Sequence, residues 1–138
     1  MEESKDHARR PESQVTRAKV VVMRHEQNGF GVGVELLREG EVYRVLSLWI
    51  DDEQITSTRQ VLHFACKRVM DAVDDDTKLI IFVAQNRHFL KARELSAAMK
   101  LHKPDIDAVF YRAKTLQGDA WALAQDACER QTNIISDV

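Results

Sequence analysis

The residue types able to do chemistry in this chain are scattered along it. Glu26, Asp51, Asp52, Glu53 and Asp119 are the carboxylates that fall near expected strand and helix ends, where a hydrolytic metal site would be assembled. Two of these groups have plainer readings: Asp119 as a helix N-cap, and Asp51-Asp52-Glu53 as a solvated stretch closing a strand. His25-Glu26 is either an acid–base pair or a polar turn. His63 and Cys66 stand at i, i+3 and offer two zinc ligands, but no second pair accompanies them. Cys66 also falls on an apolar stripe, so core packing is the reading the pair favours. Gly29-x-Gly31-x-Gly33 precedes an alternating strand, whereas a phosphate loop needs a helix there. The glycines are expected to leave room for a neighbouring side chain. No metal, nucleotide or other cofactor is expected.

The clearest charge signal lies between Arg87 and Lys103. Arg87, Lys91, Arg93, Lys100 and Lys103 stand against Glu94 alone, a net of +4. Arg87, Lys91, Lys100 and Lys103 are expected to share one side of a helix and to neutralise phosphates of a nucleic acid. The competing reading is a solvated basic face balancing Asp71 and Asp74 to Asp76.

The whole chain of 138 residues carries 20 Lys plus Arg against 22 Asp plus Glu, so bulk positive charge does not hold it to nucleic acid. At 44% hydrophobic it is rich enough for one packed core. No apolar run reaches the roughly 20 residues of a membrane helix, and the first residues lack the apolar segment of a secretory signal. Cys66 and Cys128 form no C-x-x-C and read as reduced, buried thiols, which places the expected location in the cytoplasm.

The elements follow from periodicity. Residues 1–16 hold almost nothing apolar and are expected to form a disordered arm. Residues 17–132 form the single domain and 133–138 a tail. Lys19 to Arg24 is a β-branched run. Phe30, Val32, Val34 and Leu36 alternate with Gly31, Gly33 and Glu35, and Val42 to Ile50 is a third strand. Short turns make these three an antiparallel meander. Thr56, Ser57 or Thr58 then caps a helix with Leu62, Ala65, Cys66, Val69 and Val73 on one face, ending near Val73 before Asp74-Asp75-Asp76. Leu79 to Val83 is a buried strand, Arg87 to His102 a helix, and Ala108 to Tyr111 a fifth strand. Gly118-Asp119 opens a last helix with Trp121, Ala124 and Cys128 on its stripe. The order β-β-β-α-β-α-β-α gives a mixed α/β sheet of five strands, three antiparallel and then two parallel, with helices on both faces. Val20, Val22, Leu62, Val69, Ile80, Phe82 and Cys128 are expected in the core.

That order, from Lys19 to Arg130, resembles the ribonuclease H-like fold. Asn28-Gly29-Phe30-Gly31-Val32-Gly33-Val34 looks like the glycine-rich entry to that family's second strand. Thr56-Ser57-Thr58-Arg59-Gln60-Val61-Leu62 resembles the T-N-N-R-x-E-L opening of its first helix, and Gly118-Asp119 with Ala120 to Ala127 resembles its last. The resemblance implies four acidic positions holding two Mg²⁺ ions over a phosphodiester. They fall at Arg24, Val61, Ala84 and Trp121, or Leu123 in place of Trp121 if the last helix is shifted, and none of these is acidic. The histidine-bearing loop of the family reads Lys114-Thr115-Leu116-Gln117. The resemblance therefore implies a catalytically inactive module that binds or scaffolds protein, a homodimer included, or nucleic acid. The alternatives are a divergent metal-dependent nuclease with relocated carboxylates and a structural homo-oligomer subunit.

Overall fold

The structure, a computed structural model, describes residues 14–26, 28–85 and 91–138. Val15–Arg24 (β1), Phe30–Arg38 (β2) and Glu41–Ile50 (β3) form the expected meander, Val20 facing Val34 and Val34 facing Leu46. Thr58–Ala72 (α1), Leu79–Gln85 (β4), Ala92–His102 (α2), Asp107–Ala113 (β5) and Ala120–Arg130 (α3) follow. β4 runs parallel to β1, and β5 parallel to β4.

Two boundaries differ from expectation. The sheet starts at Val15, so Val15 and Thr16 belong to it; Thr16 is fully buried and its hydroxyl lies 3.1 Å from that of Tyr43. The stretch read as a tail is also sheet. Ile134–Asp137 (β6) pairs antiparallel with β3, giving six strands in the order β5-β4-β1-β2-β3-β6 where five were expected. Gln131, left-handed at φ 56°, turns the chain back after α3. The Trp49 N–H then donates to Asn133 Oδ1 at 2.7 Å, Val138 N–H to the Tyr43 carbonyl, and Arg44 pairs with Asp137 at 2.6 Å. Every residue of β6 is exposed, so an alternating pattern had no buried face to serve.

The main core lies under α1 and α2. Val20, Val22, Ile80 and Phe82 are buried there with Leu62, Val69, Leu95 and Met99. Ser57 caps α1 through a complete capping box with Gln60. The helix stops at Ala72, and its anionic end is met by arginines from the meander. Arg44 donates to the Ala72 carbonyl at 2.6 Å and to Asp74 at 3.0 Å, and Arg38 binds Asp76 at 2.7 Å.

α3 lies on the other face, against β2, β3 and β1. Its buried row is Ala120, Ala124, Ala127 and Cys128, while Trp121 is 40% exposed and leaves the stripe expected for it. The reason is how closely the helix approaches. A Cβ on Gly31 would overlap the Ala124 carbonyl, and one on Gly33 the Ala120 carbonyl. The glycines make room for helix backbone, and an indole in that row would lift α3 off the sheet. No helix among the described residues is long and apolar enough to cross a membrane.

Candidate functional site

The places that drew functional readings from the sequence fare differently in the structure. At the end of β1, Arg24 lays its guanidinium over the Phe30 ring at 4.8 Å and reaches the Thr56 carbonyl ahead of α1 at 3.4 Å. His25 meets Trp49 edge to face at 5.4 Å. The cleft beside them is lined by Glu26, Asp51, Asp52 and Glu53, so four of the five candidate carboxylates do converge on one hollow. Asp52 is already committed to its own turn, accepting from the Gln54 N–H at 2.8 Å. Among the described residues no three His, Cys, Asp or Glu side chains stand where they could hold a metal ion.

The fifth carboxylate is elsewhere. Asp119 is the N-cap of α3 but makes no capping bond with its side chain. Its backbone N–H donates instead to Glu35 Oε1 at 3.0 Å. Glu35 is only 5% exposed on β2, and Gly118 (φ 104°) lies close enough that a Cβ there would strike the carboxylate. A buried glutamate thus does the capping assigned to Asp119, and its negative charge sits at the positive end of the helix. Lys19, level with Glu35 on β1, donates to the Gln117 carbonyl at 3.1 Å. The sequence reading gave Glu35 no role beyond its place in an alternating strand. The signal available was its row: Gly31, Gly33 and Glu35 share a face, and two residues without side chains mark a face that something covers.

The four positions singled out by resemblance do not form one cluster. Val61 and Ala84 are both fully buried in the apolar core beneath α1. The residue level with Ala84 on β1 is Val20, not Arg24. Arg24 lies four residues further on, roughly 13 Å along the strand. Trp121 projects from the first turn of α3 on the opposite face of the sheet.

The basic segment of α2 is shorter than its sequence suggested. The helix begins at Ala92, with Lys91 as its N-cap, and Arg87 falls outside the described residues along with His88 and Phe89. Nine residues is two and a half helical turns, so Lys91 and Lys100 point to opposite sides. They do not share the stripe expected of them. Each lysine also meets a carboxylate: Lys91 with Glu94 at 3.6 Å, Lys100 with Asp107 at 2.8 Å, Lys103 with Asp71 at 3.8 Å. Asp71 is shared with His102 Nε2 at 2.9 Å. His63 and Cys66 form no ligand pair, since Cys66 is fully buried and burial pushes its thiol up.

No protein-family model and no curated protein sequence matches the chain. LC11-RNase H1, isolated from compost by a metagenomic approach, superposes with a TM-score of 0.56 over 86% of this chain and 98% of its own. The fold is ribonuclease H-like. Identity to that protein is 11%, so the likeness is one of fold. A foamy viral protease-reverse transcriptase, determined in complex with an RNA/DNA hybrid, is 17% identical. Its TM-score is 0.37, over 88% of this chain and 21% of its own. The sixth strand, β6, extends the five expected of the fold.

Proposed function

We propose that this chain is a ribonuclease H-like domain without metal-dependent cleavage, working as a binding or scaffolding module. One observation carries the reading: Val61 and Ala84, where the resemblance implies carboxylates, are fully buried in a single apolar cluster together with Val20. Two Mg²⁺ ions over a phosphodiester need anionic oxygens and open coordination positions. Aliphatic side chains packed without access to solvent supply neither. A protein partner is favoured over nucleic acid because Lys91, Lys100 and Lys103 each already have an acidic neighbour, which a phosphate would have to displace.

The test is cleavage of an RNA–DNA hybrid by the purified full chain with Mg²⁺ and with Mn²⁺. No metal-dependent product is expected. Cleavage that survives rigorous purification and disappears in Glu26→Gln or Asp119→Asn would overturn the reading in favour of a nuclease with relocated carboxylates.

A further inference from the structure

We infer that the uncovered half of the sheet, on the face carrying α3, is a self-association surface for a second copy of this chain. α3 packs mainly on β2, β3 and β1, so among the described residues no helix is seated on β4 and the edge strand β5 on that side. The burial of β4 alternates strictly: Ile80, Phe82 and Ala84 are buried under α1 and α2, while the residues between them stay half-exposed. Leu37, Arg17, Ile81 and Val109 form one cross-strand row on the open side, with Val15 one row away. Tyr111, on the same face of β5, is 57% exposed.

The chemistry of the face selects its occupant. Among the described residues its strands are mainly aliphatic, with Tyr111 their one exposed aromatic, whereas a nucleic-acid platform needs a series of stacking rings. Arg17 and Glu39 line the same hollow, beside Val15, Leu37 and Ile81. Neither side chain has an ion-pair or hydrogen-bond partner among the described residues. A carboxylate there repels phosphate, but an unpaired cation beside an unpaired anion is self-complementary. Under a two-fold axis each Arg17 meets Glu39 of the second copy, so both pairs form at once around the aliphatic row. The chain's own first thirteen residues carry seven charged side chains and offer no apolar stretch to cover that row. The inference is independent of whether the chain cleaves nucleic acid, so the hybrid assay and the following measurement fail separately.

Sedimentation velocity of the full chain over a hundredfold concentration range tests it. The expected species at the upper end has twice the 15.8 kDa chain mass. Arg17→Glu and Glu39→Arg each sit at exposed positions. Each should weaken dimerisation about tenfold or more, with an unchanged thermal melt at concentrations where the chain is monomeric. The double variant R17E/E39R should recover to within about threefold of the unsubstituted chain. Ile81→Lys should leave monomer. A chain that stays at 15.8 kDa throughout overturns the inference and leaves a different protein as the covering partner. A dimer indifferent to both single charge reversals, or a double variant with no recovery, overturns it equally.

Discussion

Neighbouring residues of β4 live in two different environments, and the contrast follows from how many helices each face of the sheet receives. Phe82 is fully buried and stacks on Phe110 with ring centroids 4.8 Å apart, while Ile81 and Val83 beside it are half-exposed. Six strands at about 4.8 Å spacing span roughly 24 Å between the outermost axes. One helix is about 10 Å wide, so two helices cover most of a face and one covers about half. α1 and α2 share one face, and α3 has the other to itself. The same β-branched, apolar sequence therefore makes core on one side of a strand and open surface on the other.

The largest effect should come from the covered side. Phe82→Ala removes a ring packed on all sides and is expected to cost about 3–5 kcal/mol in chemical denaturation. Ile81→Ala, one residue away, should cost about 1 kcal/mol in the monomer, because the side chain gives up only part of its exposure on folding. Equal costs would mean that the face of Ile81 is covered after all.

Next in size is the covered half of the face that holds α3. A Cβ at Gly33 meets the backbone of Ala120 and Ala124, neither of which is the end of a flexible side chain. Gly33→Ala should therefore cost about 2–3 kcal/mol, with α3 displaced from β2. Thermal denaturation together with hydrogen exchange in α3 measures both. A neutral Gly33→Ala would show that the helix sits further from the sheet than described.

What the sequence made legible tracks this same division. Val20, Val22, Leu62, Val69, Ile80, Phe82 and Cys128 were read as core from spacing alone, and all are buried. Period-2 and period-3.6 patterns report whether an element has an inner face, which is what α1 and the meander possess. They do not report whether the other face is covered. The role of Glu35 went unread for that reason, since the start of α3 reaches it from 84 residues away in sequence. Trp121 was misplaced because hydrophobicity outranked size, although the row beneath α3 admits only small residues. The lysines of α2 were legible as charges and Asp71 as a group that could balance them, but Asp107 comes from β5 and its pairing with Lys100 waited on the fold. β6 has no inner face at all, and its strand pairing rests on polar groups that no hydrophobic pattern records.

That polar attachment gives the third expected effect. Arg44 spans both sides of the contrast, joining the end of α1 to β6 through the Ala72 carbonyl, Asp74 and Asp137. Its guanidinium also lies 5.3 Å from the Tyr43 ring centroid, with Arg38 over the same ring at 5.5 Å. Arg44→Met keeps the stem and removes the donors. A loss of about 1–2 kcal/mol is expected, together with fast exchange of the Val138 amide, which donates to the Tyr43 carbonyl. Protection of that amide unchanged by Arg44→Met would assign the holding of β6 to Asn133 instead.

The smallest effect concerns His63 on α1. Burial, reinforced by the nearby Lys67 cation, holds its imidazole below the ordinary range. The folded state thus favours the neutral ring, and the unfolded chain binds the proton more readily. The contribution of His63 to stability is complete above an unfolded pKa of about 6.5 and is lost as pH falls from there through the lower folded value. Asp76 has the same sign in a separate window. Its hydrogen bond to Arg38 holds the carboxyl low, so its contribution is present above an unfolded pKa of about 3.9 and is lost on further acidification. Melting temperature should therefore decline slightly between about pH 7 and pH 5 and again below about pH 4. His63→Gln should flatten the first step and leave the second, and Asp76→Asn the reverse. A first step that persists in His63→Gln would assign it to another titrating group.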